Sequence, residues 1–269
     1  MNDLRQLRGL IFDLDGVIRR GDRLLPGAVE MVEFLHRRGL PFLVATNNAT
    51  ASAAQLARKL GELGFALPAE NILTSAQATA SLMKTRIRSG APVMMIGEEG
   101  LREALIGAGF AIQDRADQVL AVVVGMDRKL DWARMAEAAY AIRAGADFVA
   151  TNGDVSFPTE RGLAPGNGSI VVALELTTGR KALVVGKPEP HLFLEARSFL
   201  DRNAEQVLVV GDRLETDVLG AQRAGMASAL LLTGVTDRTQ LAGSAIRPDW
   251  VFNDLFEMRQ AIDRQDRNP

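Results

Sequence analysis

Two carboxylates stand two positions apart in Phe12-Asp13-Leu14-Asp15-Gly16-Val17, where an apolar run from Leu10 to Leu14 gives way to glycine. On an extended chain residues i and i+2 face the same way, so Asp13 and Asp15 can share one pocket. Two acids that close repel unless one is protonated or a cation joins them. In isolation a pair of turn or helix-cap acids would look the same. An EF-hand loop fits poorly, because its third acidic position falls on Val17 and its glycine should come two residues later. A second acidic strand end follows in Val209-Val210-Gly211-Asp212-Arg213-Leu214-Glu215-Thr216-Asp217. Asp212 repeats the context of Asp13, and Asp217 lies about one helical turn further on. Glu215 reads as an ordinary first-turn acid favoured by the helix dipole.

Two more apolar runs end in phosphate-compatible groups. Leu43-Val44-Ala45 leads into Thr46-Asn47-Asn48, and Val184-Val185-Gly186 leads into Lys187-Pro188. Threonine and asparagine are also good N-caps, so one of the three is expected to cap a helix. A lysine at a strand end is ordinarily solvated, but Pro188 restricts Lys187 to an extended backbone. Pooled carboxylates, one lysine, one hydroxyl and amides suit a divalent cation and a phosphate.

The elements that must position these groups alternate along the chain. Strands are expected at Leu10–Leu14, Phe42–Thr46, Val93–Ile96, Val119–Val124, Phe148–Thr151, Leu183–Val185, Val207–Val210, Ala229–Leu232 and Trp250–Phe252. Most are apolar on both faces, as strands buried in a parallel sheet are. Helices are expected at Ala28–Arg38 (apolar Val29, Val32 and Leu35), Ala53–Leu63, Trp132–Arg143 and Glu215–Ala224, each stopped by a following glycine. Strands alternating with helices mean an α/β fold with a mostly parallel, Rossmann-like sheet. Ligands bind such sheets outside the carboxyl ends of the strands, where all four polar clusters fall.

Composition narrows the chemistry. The 269 residues hold 31 Lys and Arg against 33 Asp and Glu, a net charge of −2, which gives no general reason to bind nucleic acid. Cysteine is absent and there are two histidines, which excludes disulfides, thiolate zinc sites, a cysteine nucleophile and any three-histidine metal site. His36 and His191 read as surface or capping residues. No apolar run approaches the ~20 residues needed to span a bilayer, and no signal-peptide pattern begins the chain. A cytoplasmic protein without membrane association is expected, with a polar end, Asp263–Pro269, that frays. Pro165-Gly166-Asn167-Gly168-Ser169 mimics a phosphate loop but lacks its Gly-Lys-Ser/Thr ending, so it reads as a turn and helix start.

The four clusters, in this order, resemble the haloacid dehalogenase (HAD) superfamily of aspartyl-phosphate phosphatases. Within it they are most similar to the branch around the NagD nucleotide phosphatase, 4-nitrophenyl phosphatases and phosphoglycolate phosphatase. Spacing agrees with the architecture. Asp13 to Thr46, and Lys187 to Asp212, each span roughly 30 residues, one strand–helix–strand unit. About 140 residues separate Thr46 from Lys187, too many for one connection. The resemblance implies a catalytic core of residues 1–78 and 183–269, with an inserted α/β cap domain at 79–182.

It also implies roles. Asp13 would be the nucleophile and Asp15 the general acid and base, protonated by the negative charge packed around it. Mg²⁺ would be held by Asp13, the backbone carbonyl of Asp15, and Asp212. Asp217 would orient Lys187 or hold a metal-bound water, and Gly16 would support the loop. Thr46, Asn47, Asn48 and Lys187 would bind the phosphoryl group. A cap loop, with Asn152, Asp154 and Phe157, would select a small phosphorylated metabolite. Arg19 and Arg20 could attract an anion, although such arginines are more often solvated. Caps of this type often mediate dimers, so a homodimer through the cap is among the arrangements implied. Dehalogenases of the superfamily lack the counterpart of Asp15, and phosphomutases usually carry their cap between the first two motifs. Hydrolase therefore leads. A phosphate-binding module that retained the fold without catalysis would be expected to have lost the nucleophile or the metal ligand, and neither is lost.

Overall fold

The computed structural model describes residues 3–159 and 161–267. From the N-terminus the chain forms β1 (Gly9–Phe12), a short hairpin of β2 (Arg19–Arg20) and β3 (Arg23–Leu24), α1 (Ala28–Arg38), β4 (Phe42–Thr46), α2 (Ala53–Glu62) and β5 (Ile72–Thr74). It continues through α3 (Ser75–Arg86), β6 (Pro92–Ile96), α4 (Glu99–Gly107), β7 (Ala111–Gln113), β8 (Ala121–Val124), α5 (Trp132–Arg143) and β9 (Asp147–Ala150). A hairpin of β10 (Ser156–Thr159) and β11 (Gly162–Pro165), then α6 (Asn167–Thr178) and β12 (Leu183–Val184), complete this stretch. The chain ends with α7 (His191–Leu200), β13 (Val207–Gly211), α8 (Leu219–Arg223), β14 (Ala227–Leu231), α9 (Arg238–Gly243), β15 (Trp250–Phe252) and α10 (Leu255–Arg267).

The chain divides into two compact units. One comprises Met1–Thr46, Leu56–Leu73 and Lys187–Pro269; the other comprises Asn47–Gln55 and Thr74–Gly186. The second unit is thus wider than the expected 79–182, and it takes in a segment directly after Thr46.

The first unit is built on a six-stranded sheet in the order β15-β14-β13-β1-β4-β5. β1, β4, β13 and β14 are buried at every position, because their side chains are apolar on both faces and helices cover both. β1 pairs in parallel with β13 on one side and β4 on the other. Strand order runs in opposite directions from β1, which makes its carboxyl end a topological switch point. Helix α1 has the expected bounds, starting after Gly27 (φ 86°) and stopping at Gly39 (φ 61°). Its buried face is Ala28, Met31, Val32, Phe34 and Leu35, whereas Val29 is turned outward. The i, i+3, i+4, i+7 spacing from Ala28 explains that choice.

The second unit has its own parallel sheet, β12-β9-β8-β6-β7. Met94, Ile96, Val122, Val124, Phe148 and Ala150 of this sheet pack with Ala138 and Ile142 of α5 and Val171 and Leu174 of α6.

Three sequence expectations change. The helix expected at Glu215–Ala224 begins instead as a wide, π-type turn at Leu214–Val218 and becomes α-helical only at Leu219. β5, β7 and the two hairpins were not foreseen; each is short, and three-residue or two-residue strands carry little periodicity. The end expected to fray is helical as far as Arg267, and residues 268 and 269 lie outside the described residues. Among the described residues no helix is long and apolar enough to cross a membrane.

Candidate active site

Asp13 follows β1, Thr46 ends β4 and Asp212 follows β13, so the switch point brings three polar groups to one edge of the sheet. Lys187 comes from the loop before α7. Its ammonium donates to Asp13 Oδ1 at 2.5 Å and to Asp217 Oδ1 at 2.7 Å. The π-type turn makes the second contact available. Asp217 and Val218 N–H groups both reach back to the Arg213 carbonyl, and Asp217 Oδ2 accepts from the Arg213 N–H at 3.1 Å. Gly211 leaves the room: a Cβ there would overlap the Asp217 side chain.

Oxygens of Asp13, Asp212 and Asp217 lie within 4.8 Å of one another. Asp212 and Asp217 are buried, as is Lys187. Three carboxylates thus face one ammonium. A charge pair 4 Å apart is worth about 4 kcal/mol at an effective dielectric constant of 20, so the excess negative charge is costly until a proton or cation arrives. The titration of the groups follows. Burial pushes the Asp13 carboxyl well up; Lys187 opposes this, and the Asp217 and Asp212 charges add to it. Burial and the Asp217 charge push Asp212 up to about 6, against the Val235 N–H. Burial alone would lower the Lys187 ammonium, but the Asp13 and Asp217 charges outweigh it and the net direction is up.

The residues fit a hard cation. Asp212 Oδ1 is buried without a hydrogen-bond partner, while Oδ2 accepts from Val235 N–H at 2.7 Å. A buried carboxylate oxygen left unpaired among other carboxylate oxygens is the donor type that Mg²⁺ or Ca²⁺ takes. Asp217 is committed to Lys187 and the Arg213 amide, so its place is beside the lysine.

The loop after β14 was missed by the sequence reading and completes the cradle. Thr233 Oγ1 donates to the Gly16 carbonyl at 2.7 Å, and Val235 holds Asp212. A Cβ on either Gly16 (φ 91°) or Gly234 would overlap the Asp212 carboxylate. A Thr-Gly pair just past a strand end is the signal that could have found it.

Asp15 is where the structure departs most from expectation. Its carboxylate is not among the packed acids. It is 54% exposed and pairs with Arg19, Nε to Oδ1 at 3.0 Å. The extended i, i+2 geometry fails because the chain already bends at Leu14, between the two acids, before the turn that begins at Gly16. Arg19, read as either attracting an anion or solvated, is buried, and Arg20 donates to the carbonyls of Thr233 and Gly234.

The other expected residues belong to the second unit. Asn48 Oδ1 accepts from the Thr50 amide and hydroxyl, closing a local turn. Asn47 donates to Asp154 Oδ2 at 3.1 Å, and its carbonyl accepts from Asn152 Nδ2 at 2.8 Å. Asn152 Oδ1 in turn accepts from the Asp154 N–H, and Asn167 Nδ2 donates to the Asn152 carbonyl at 2.7 Å. Asn47, Asn152 and Asp154 therefore form one network that shapes the turn after β9. Phe157 lies on β10, half-buried, opposite Ala164.

Residues 10–111 match the family of haloacid dehalogenase-like hydrolases, and residues 184–258 match a related HAD-hydrolase-like family. The chain is 42% identical to D-glycerol 3-phosphate phosphatase of Mycobacterium tuberculosis over 93% of its length and 70% of the relative's. It is 33% identical to acid sugar phosphatase of Staphylococcus saprophyticus over 97% of its length and all of the relative's. A crystal structure of the M. tuberculosis glycerol phosphate phosphatase in complex with magnesium superposes with a TM-score of 0.90 at 41% identity, covering 97% of this chain and 78% of that one. A 4-nitrophenylphosphatase from Thermotoga maritima gives 0.91 at 33% identity, covering 96% and 98%. The chain belongs to the haloacid dehalogenase-like hydrolases.

Proposed function

We propose that this hydrolase is a Mg²⁺-dependent phosphatase that cleaves small phosphomonoesters through an aspartyl phosphate on Asp13. The chain is a phosphoric monoester hydrolase by its relatives, whose names are those of glycerol phosphate, sugar phosphate and nitrophenyl phosphate phosphatases. The observation that carries the mechanism is one buried lysine shared between Asp13 and Asp217, beside the unpartnered oxygen of Asp212.

Asp13 attacks phosphorus through a carboxylate oxygen, which splits hydrolysis into two easier steps. Lys187 fixes the attacking group and offers positive charge to the phosphoryl oxygens. Thr46, buried at the end of β4, and the amides that follow it complete the phosphate site. Asp15 protonates the leaving oxygen, then takes a proton from the water that cleaves the aspartyl phosphate. The loop after β14 keeps Asp212 in place through Val235 and Gly234, and Gly16 of the loop after β1 leaves room for its carboxylate. Asp13, Asp212 and the backbone carbonyl of Asp15 would hold Mg²⁺. When bound, it neutralises the clustered acids and the negative charge of the phosphoryl group, where most catalysis of this reaction comes from. The second unit acts as the inserted cap in this reading, and its β10–β11 hairpin with Phe157 selects among esters.

Phosphate release from glycerol 3-phosphate, sugar phosphates, nucleoside monophosphates, phosphoglycolate and 4-nitrophenyl phosphate tests the proposal. Turnover is expected with Mg²⁺ and is expected to vanish with a chelator. Silence across the panel with Mg²⁺ present would sink it.

A further inference from the structure

Arg19 is buried to 8% exposure on the strand that follows the catalytic loop. A buried guanidinium is costly unless a counter-charge meets it. The counter-charge is Asp15, whose Oδ1 lies 3.0 Å from Arg19 Nε, an ion pair in which the Nε–H is not aligned for a hydrogen bond. The backbone sets both ends of this pair. Ile18 and Arg19 N–H groups donate to the Leu14 carbonyl at 3.0 and 3.1 Å, and Gly16 N–H donates to the Arg19 carbonyl at 2.7 Å. Asp15 and Arg19 are also bridged as extended neighbours across this tight loop.

The two side chains differ in setting. Arg19's is 9% exposed and Asp15's is 54% exposed. The guanidinium is packed in place; the carboxylate alone would be able to rotate in solvent. Arginine suits the task because its charge is permanent, so the pair persists at any working pH.

We propose that Arg19 is the positioning residue for Asp15, anchoring the carboxylate that serves as proton donor and acceptor. The inference rests on the phosphatase reading and extends it to a residue outside the four motif clusters.

Leaving-group dependence separates positioning of an acid from a merely structural role. A 4-nitrophenolate departs without a proton, whereas the alkoxide of glycerol needs one. The ratio kcat/KM covers steps through phosphoryl transfer to Asp13, so the shared hydrolysis of the aspartyl phosphate does not enter. General acid catalysis is typically worth ~10²–10⁴. Arg19→Met is therefore expected to lower kcat/KM for glycerol 3-phosphate by about 30-fold or more, and for 4-nitrophenyl phosphate by roughly 3-fold or less. Arg19→Lys, which keeps the charge and loses the planar donors, is expected to fall between the two and serves the same comparison should Arg19→Met not fold. In an Asp15→Asn background the Arg19 substitution is expected to leave the ester ratio unchanged, because the group it positions is gone. Equal losses on both esters, or a further change of ratio in the Asp15→Asn background, would overturn the proposal alone. A wild-type chain inactive on both esters would overturn the phosphatase reading and this inference with it.

Discussion

Each of the two units is organised around a parallel sheet with acids at its carboxyl-terminal edge, yet the acids are balanced differently. In the second unit, Asp127 follows β8 and is met by Arg134 Nη1 at 2.8 Å and the Lys129 N–H at 2.8 Å. Glu98 follows β6 and is held by Arg128 through Nε and Nη2 at 2.7 and 2.6 Å. Each acid has its own arginine. In the first unit, Asp13 and Asp217 share Lys187, and the neighbouring Asp212 has one buried oxygen with no donor. The same layered fold thus yields a structural edge where charges cancel and a reactive edge where they do not. Polar residues at strand ends are not by themselves diagnostic; the uncompensated charge is.

The largest effect should come from the nucleophile. Asp13→Asn keeps the shape of the side chain and removes the attacking oxygen charge. Activity is expected to fall by about 10³-fold or more, measured as phosphate release. Burial already disfavours the Asp13 charge, so the variant's melting temperature without cation should stay within a few degrees of wild type. Near-normal turnover would remove the chemical half of the comparison.

A matched pair of substitutions comes next. Lys187→Met strips the shared cation from Asp13 and the buried Asp217, and breaking a buried pair costs about 3–5 kcal/mol. It should lose both stability and activity. Arg134→Met leaves the buried Asp127 unpaired, but Arg134 is itself 31% exposed, so about 2 kcal/mol is expected. Its kcat should be unchanged. Urea denaturation with parallel kinetics checks both. A loss of chemistry in Arg134→Met equal to that in Lys187→Met would erase the distinction between the two edges.

Divalent cation should act on the reactive edge alone, with a definite pH sign. Asp212 has a folded-state value of about 6, above the ordinary 3.8. Between those values the folded protein holds the proton more tightly than the unfolded chain does. Stability of the cation-free protein should therefore fall as pH rises from about 4 to about 6 and stay low above that. Mg²⁺ replaces the proton, so the rise in melting temperature it gives should be several degrees larger at pH 7.5 than at pH 5. An equal rise at both pH values would show that the clustered acids do not take the cation.

Much of this was legible in the sequence because parallel strands buried on both faces announce themselves. Phe42–Thr46 and Trp250–Phe252 have the expected bounds, and Asp13, Thr46 and Asp212 all fall at strand ends as read. What could not be read depends on the path of a few backbone atoms. The bend at Leu14 and the turn that follows place Asp15 beside Arg19, away from the packed acids, so the i, i+2 argument does not hold. The π-type turn at Leu214–Val218 has the same apolar pattern as an α-helix, yet it is this wider turn that carries the Asp217 paired with Lys187. Asn47, Asn48, Asn152 and Asp154 are residue types that bind phosphate and shape turns equally well. Their hydrogen bonds to one another and to Thr50, which hold the turns together, could be seen only in the fold.

The smallest effect tests the balanced edge at its surface. Arg128 is 67% exposed while its partner Glu98 is 21% exposed. The contact is bidentate, and together with an Arg128 N–H at 3.1 Å it holds Glu98 below its ordinary range against the opposing effect of burial. Solvent nevertheless screens the guanidinium, and exposed pairs are worth at most ~1 kcal/mol. Arg128→Ala should lower the melting temperature by about 2 °C at low salt, and by less at 1 M NaCl, where screening is nearly complete. Since Glu98 keeps access to water, no buried charge is stranded, unlike Asp127 in Arg134→Met. A loss as large as that of Arg134→Met would mean that burial of the acid does not set the cost of unpairing it, and the contrast between the two edges would need another cause.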